Sequence, residues 1–333
     1  MRITVLRVGG RACPHVCDDY ADAFRDLKHE VAVIPIEQFY ERAKCPDGTH
    51  PRRRAHAAVS AAEGPDLVIS YAHHAAAYPL AYVDEDNKLT TVWDGYSYAG
   101  GIQYASIWLD SPMHDGYLRE LFSIRSPRHY QFIWDRHYVE RFNSLGVPNS
   151  HYLPCAVNPK KFHPTGETAI QFQVCLAASW SPQREELVNT LIRGGISIAV
   201  FGEDWGQSAE RSPDVYARYM GSIKHGELND LFNRSMVQMN LTMEQGITSL
   251  NMRVFEVGAA GHALLITDSK EDLETLKIPA IRYTNLLQIA PIIKNMLLMP
   301  AQRSQAIHAL RERIVAEHTY THRAEKILEI VYA

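Results

Sequence analysis

The chain has 333 residues, 46% hydrophobic and 22% charged, enough for two domains of roughly 150 residues that each bury a core. With 34 Lys+Arg against 38 Asp+Glu the net charge is −4; residues 1–163 carry 18 basic and 19 acidic side chains and the remainder 16 and 19, so neither half offers the positive face that a nucleic-acid partner needs. Five cysteines, an odd number, argue against a disulfide framework, and no apolar run approaches the roughly 18 residues of a membrane span, so a cytoplasmic protein with no signal peptide is expected.

In chain order, Ile3 to Val8 reads as a first strand, followed by a turn at Gly9-Gly10 and a helix from about Asp18 to Lys28. Two glycines without a third make no dinucleotide fingerprint; Gly9 and Gly10 are expected to line a ligand cleft near donor phosphates or acceptor, or to form a plain tight turn. Cys13, His15 and Cys17 lie close together, but no second ligand pair at zinc spacing follows, and reduced cysteines in a loop are favoured over metal. Arg52-Arg53-Arg54 reads as a solvated helix start, and residues 40–64 as a loop or an added helix.

Asp66 to Tyr71 is a second strand, with His73 and His74 just past its C-terminal end, where ligands collect in open α/β sheets. Asp110, after the run Tyr104 to Leu109, occupies the same kind of position. A His or Asp there suits a general base toward an acceptor hydroxyl; the alternative for each is a capping or structural hydrogen bond. Trp93, Tyr96, Tyr98, Tyr104, Trp108 and Trp134 suit stacking on a sugar or base, and equally an ordinary core.

Pro159, Pro164 and Gly166 interrupt the pattern and place a domain boundary near 158–166. Beyond it, Phe172 to Ala178 is an apolar strand emptying into Ser179-Trp180-Ser181-Pro182-Gln183-Arg184, with Ser before Pro marking a helix start. Such a helix end attracts phosphate, and Arg184 adds forked cationic donors in its first turn. Further strands are read at Ser197 to Gly202 and Val237 to Thr242, with a helix from His225-Gly226-Glu227-Leu228 to about Arg234. Asn251 to Asp268 reads as a short helix, a turn at Gly261 and a buried strand. Glu256 inside that helix needs hydrogen-bond donors, which a ribose diol supplies, and Arg253 on the same face pairs with a phosphate or with Glu256. An ordinary βα unit with a surface Glu-Arg pair is the alternative. Two helices, about 300–317 and 321–331, end the chain.

The succession Ser179-Trp180-Ser181-Pro182-Gln183-Arg184, Tyr219-Met220-Gly221, Met239-Asn240-Leu241-Thr242, Asn251-Met252-Arg253-Val254-Phe255-Glu256 and Gly261 to Asp268 resembles the C-terminal half of the CgeB-like (spore maturation protein CgeB family) glycosyltransferases. Ile107-Trp108-Leu109-Asp110-Ser111-Pro112 and Tyr152-Leu153-Pro154 through Pro164 resemble their N-terminal half more loosely. The resemblance spans about residues 65–285. It implies an α/β fold of the GT-B kind: two Rossmann-like domains facing across a cleft, acceptor domain 1–163, nucleotide-sugar domain 164–318, and a terminal helix 319–333 crossing back.

By position, the resemblance implies Glu256 on the ribose, Arg184 on the diphosphate, and Gly261 where the backbone approaches the donor; Ser181, Asn251 and Arg253 complete the donor set. A nucleotide-sugar donor, UDP-sugar favoured, is expected as substrate with no metal or other cofactor, and Asp110, His73 and His74 are the candidate bases. The acceptor is expected to be protein or glycan, with a DNA base less favoured. Related retaining transferases carry two glutamates separated by seven residues, whereas Thr248 stands eight before Glu256 and the nearest earlier acid is Glu244, so a longer loop would bring Glu244 or Asn251 to the donor sugar. A non-catalytic nucleotide-sugar-binding protein of a surface layer and a nucleotide-sugar epimerase are the competing readings.

Overall fold

A computed structural model describes residues 1–7, 14–35, 64–71, 81–83, 89–91, 102–111, 126–166 and 169–333. The chain divides into two compact units, one made of Met1–Pro154 with Tyr320–Ala333, the other of Cys155–Thr319.

The first unit holds a parallel sheet in the order β2-β1-β3-β6-β7-β8, formed by Arg2–Arg7 (β1), Glu30–Pro35 (β2), Leu67–Tyr71 (β3), Gln103–Trp108 (β6), His129–Ile133 (β7) and Ser150–Tyr152 (β8); Ala81–Val83 (β4) and Leu89–Thr91 (β5) pair separately as an antiparallel ribbon. All five residues of β3 are buried, as expected for a strand covered on both faces. Helix α1 (Pro14–Asp26) buries Tyr20, Ala21 and Phe24, and the terminal helix (Tyr320–Val331) packs against it, with the Tyr20 and Tyr320 rings edge to face at 5.0 Å. Arg323 Nε donates to Pro154 O at 2.8 Å and the Tyr332 hydroxyl to Asp66 O at 3.1 Å, fixing that helix on this unit.

The second unit repeats the plan with five parallel strands in the order β10-β9-β11-β12-β13: Phe172–Ala177 (β9), Ile198–Phe201 (β10), Ser235–Asn240 (β11), Leu264–Asp268 (β12) and Ile281–Tyr283 (β13). Its core gathers Val174, Leu176, Val237, Met239, Leu264 and Ile266 from the strands with Leu187, Leu191, Ile289 and Ile293 from flanking helices. The connection 155–166 belongs to this unit, because the Phe162 ring stacks on Phe232 and Asn233 Nδ2 donates to His163 O at 3.1 Å; the unit therefore begins before the Pro159 to Pro164 stretch. Among the described residues no helix is long and apolar enough to cross a membrane.

Candidate functional site

The strand order of the second unit creates a crevice at one place. The chain leaves β9 toward β10 and leaves β11 toward β12, in opposite directions, so the space past the C-terminal ends of β9 and β11 is not closed by a connection. Helix α2 (Pro182–Arg193) starts there: Ser181 is extended, Pro182 supplies the first helical φ, and Ser181 Oγ accepts from Arg184 N at 3.3 Å. The Arg184 side chain turns into the crevice, donating from Nη1 to Ser179 O at 2.9 Å and from Nη2 to Leu241 O at 3.1 Å, and so ties the ends of β9 and β11. A guanidinium has five N–H donors, so three remain beyond these two bonds. Burial draws the group down to about 10, with Arg253 adding to the effect and Asp268 and Tyr283 opposing it; Arg184 is still charged at neutral pH.

Beside it runs a polar chain across β11 and β12. Asn251 Nδ2 donates to Asn240 Oδ1 at 3.0 Å, Asn240 Nδ2 to Thr267 Oγ1 at 2.9 Å, and Thr267 Oγ1 to Asp268 Oδ1 at 3.1 Å. Asp268 Oδ1 also accepts from the Thr242 amide and hydroxyl at 3.0 and 3.1 Å. Tyr283 donates its hydroxyl to Asn240 O at 3.0 Å, and burial first, then Asp268, pushes that phenol up. Asn251 precedes helix α3 (Met252–Ala260) but its side chain makes no cap bond, being committed to Asn240; the first amides of α3 are not capped by it.

Glu256 lies one turn into α3 and is 4% exposed. Its Oε2 accepts from Arg253 Nη1 at 2.5 Å, and its Oε1 is in hydrogen-bond contact with His225 Nε2 at 2.9 Å. The Arg253 guanidinium lies 5.4 Å over the Phe232 ring, and His225 stands edge to face against Phe162 at 5.3 Å. Helix-periodic spacing finds the Arg253–Glu256 pair; His225, read from sequence only as the opening of a helix, is brought to it by the fold.

Arg184, Ser181, Asn251, Arg253 and Glu256 thus come from two helices that both begin at the C-terminal edge of this sheet. Gly261 does not join them. It ends α3 in the left-handed region at φ 68°, and a Cβ there would lie 2.3 Å from Arg311 Cδ. Helix α3 is 9 residues, about 13 Å at 1.5 Å per residue, so the Gly261 turn packs at the opposite edge of the sheet; its glycine is required by helix termination and Arg311. Glu244 accepts a hydrogen bond from Gln183 in the first turn of α2.

In the first unit Asp110 follows β6 and its Oδ2 accepts from the hydroxyl of Tyr71, the last residue of β3, at 3.2 Å. Tyr104, Trp108 and Trp134 are buried core residues. Gly9, Gly10, His73, His74, Trp93, Tyr96 and Tyr98 lie outside the described residues, as do Cys13 and residues 40–63. A separate groove of about 770 Å³ runs along the flank of α2, lined by Glu186, Arg193, Leu286, Leu287, Ala290 and Lys294.

Residues 183–329 match the model of a family described as glycosyl transferase-like, Glyco_trans_1_2. No curated protein matches the chain by sequence. Among solved structures, Anabaena Alr3699/HepE in complex with UDP superposes with a TM-score of 0.68 at 12% identity, covering 100% of both chains. AviGT4, a glycosyltransferase involved in avilamycin A biosynthesis, gives 0.63 at 12% identity over 100% of this chain and 97% of its own. The β-glucosyltransferase of T4 phage gives 0.61 at 10% identity over 100% of both. The fold is therefore the GT-B arrangement of two parallel-sheet units.

Proposed function

We propose that the chain is a glycosyltransferase that moves a sugar from a nucleoside diphosphate sugar, with a UDP-sugar favoured, to a protein or glycan acceptor. The observation carrying this reading is Arg184: a buried guanidinium at the strand-switch crevice, with three N–H donors beyond its two carbonyl bonds, beside two helix starts. Forked cationic donors and helix amides together suit a diphosphate leaving group without a metal ion. Glu256, a buried carboxylate one turn into α3, suits the ribose diol. The glycosyl transferase-like match, which takes in most of this unit, and relatives in fold solved with UDP and UDP-glucose support the donor class.

In the proposed reaction the bond from the anomeric carbon to the β-phosphate oxygen breaks, the acceptor oxygen bonds to that carbon, and the electron pair leaves on the diphosphate. The retaining course is favoured, with the departing phosphate oxygen taking the acceptor proton. An inverting course would need a base such as Asp110, His73 or His74.

A thermal-shift and calorimetric screen of UDP, GDP, ADP, CMP and TDP with their common sugars tests the reading. One nucleotide family is expected to raise Tm in the natural chain and to fail with Arg184→Met. No response to any nucleotide would sink the donor assignment. The anomeric configuration of the product, read by NMR, separates retention from inversion.

A further inference from the structure

The segment 241–251 that joins β11 to α3 is longer than a usual βα connection, so its conformation has to be held by outside contacts. At its start Leu241 O is held by Arg184 and Thr242 by Asp268. At its tip Gly246 N donates to Met243 O at 2.9 Å, closing a turn, while Lys270 Nζ reaches over from the end of β12 to Gly246 O at 2.5 Å. The same ammonium lies 3.8 Å from Asp268 Oδ2, and the Asp272 amide donates to Thr248 O at 3.0 Å. Gly246 has no room for a side chain, since a Cβ would fall 2.6 Å from Thr242 Cγ2. A tip pinned this tightly nevertheless turns two large apolar side chains to solvent, Met243 at 44% and Ile247 at 49% exposed.

A rigid segment displaying apolar groups next to a cation-lined crevice suits a ligand with one charged and one C–H-rich part. In a nucleotide sugar the diphosphate is the first and the face of the pyranose ring the second. Resting on the donor reading above, we propose that Lys270 is a positioning residue for the donor sugar: it holds the Gly246 carbonyl so that Met243 and Ile247 stand against the sugar ring while Arg184 takes the diphosphate. The bond that matters is to a backbone carbonyl, so a conservative cation retains part of it and an isosteric apolar chain loses it.

The test compares calorimetric affinities for UDP and for UDP-glucose, and donor hydrolysis, in the natural chain, Lys270→Met, Lys270→Arg and Ile247→Ser. Lys270→Met is expected to leave the UDP affinity within about twofold, to weaken UDP-glucose at least fivefold and to slow hydrolysis, with Lys270→Arg restoring most of the loss. Ile247→Ser, at an exposed position that does not threaten folding, is expected to weaken UDP-glucose and spare UDP. Equal losses for UDP and UDP-glucose, or no loss for either in Lys270→Met and Ile247→Ser, overturn the positioning role while leaving the donor reading intact. A natural chain that binds neither ligand overturns the donor reading and this proposal with it.

Discussion

Arg184 Nη2 and Leu241 O are joined by a 3.1 Å hydrogen bond across 57 positions of sequence, and through it one side chain closes the ends of two neighbouring strands that no connection joins. In the proposed donor site the same guanidinium is the cation that meets the diphosphate. Fold and site therefore share a residue here, and its substitution is expected to report on both.

Arg184→Lys keeps the charge but loses the fork, leaving at least one carbonyl, Ser179 O or Leu241 O, without its donor. A buried acceptor left unpaired costs about 1–3 kcal/mol, and a lost charge-assisted bond to phosphate costs a similar amount, about tenfold or more in affinity. Urea unfolding and nucleotide titration of the same variant check the two effects; unchanged stability would show that the carbonyl bonds contribute little.

Glu256→Gln removes the charge that Arg253 and His225 share. Breaking a fully buried pair costs about 3–5 kcal/mol, and because the Arg253 side chain is 21% exposed the loss here is expected nearer the lower end. If the carboxylate also takes the ribose, the natural chain prefers UDP over 2′-deoxy-UDP and the variant does not; equal preference in the natural chain would remove Glu256 from the donor site.

Glu185 provides a pH dependence. Burial raises its carboxyl, but hydrogen bonds from Ser212, Trp180 and Ser208, with the Arg211 charge, outweigh burial and hold it below its ordinary value. A depressed folded value means that stability is present above the unfolded value, near 4.3, and is lost as pH falls through the folded one. The natural chain is therefore expected to exceed Glu185→Gln in stability at pH 7 and to have lost part of that advantage by pH 3, as read from urea midpoints. A constant difference between the two pH values would contradict this account.

Cys175, fully buried in β9, has its thiol pushed up to about 12 by burial, against smaller lowering effects from Ser235 and Arg253. The thiolate is the reactive form, so Cys175 is expected to resist iodoacetamide at pH 8 in the folded protein and to react fully in urea. Peptide mass spectrometry distinguishes it from the other cysteines; rapid native labelling would show that the strand opens readily.

Features set by neighbours within about one helical turn were readable from the residues alone. Ser181-Pro182 starts a helix because its hydroxyl and ring act on adjacent backbone, Gly261 ends one because only glycine takes φ 68° beside Arg311 without strain, and Phe172–Ala177 forms a strand because its apolar run is buried. Arg253 and Glu256 pair three positions apart on one helix face for the same local reason. Partners that depend on which strand lies beside which were not readable. The order β10-β9-β11-β12-β13 sets β11 between β9 and β12; the first adjacency brings Arg184 to Leu241 O, the second brings Asp268 to Thr242 and Lys270 to Gly246, and docking of the 225–233 segment on α3 delivers His225 to Glu256. Local chemistry thus determined the elements and the residues available at their ends, while tertiary structure decided their partners, because periodicity and capping act over a few residues and strand order is settled by burying the whole sheet.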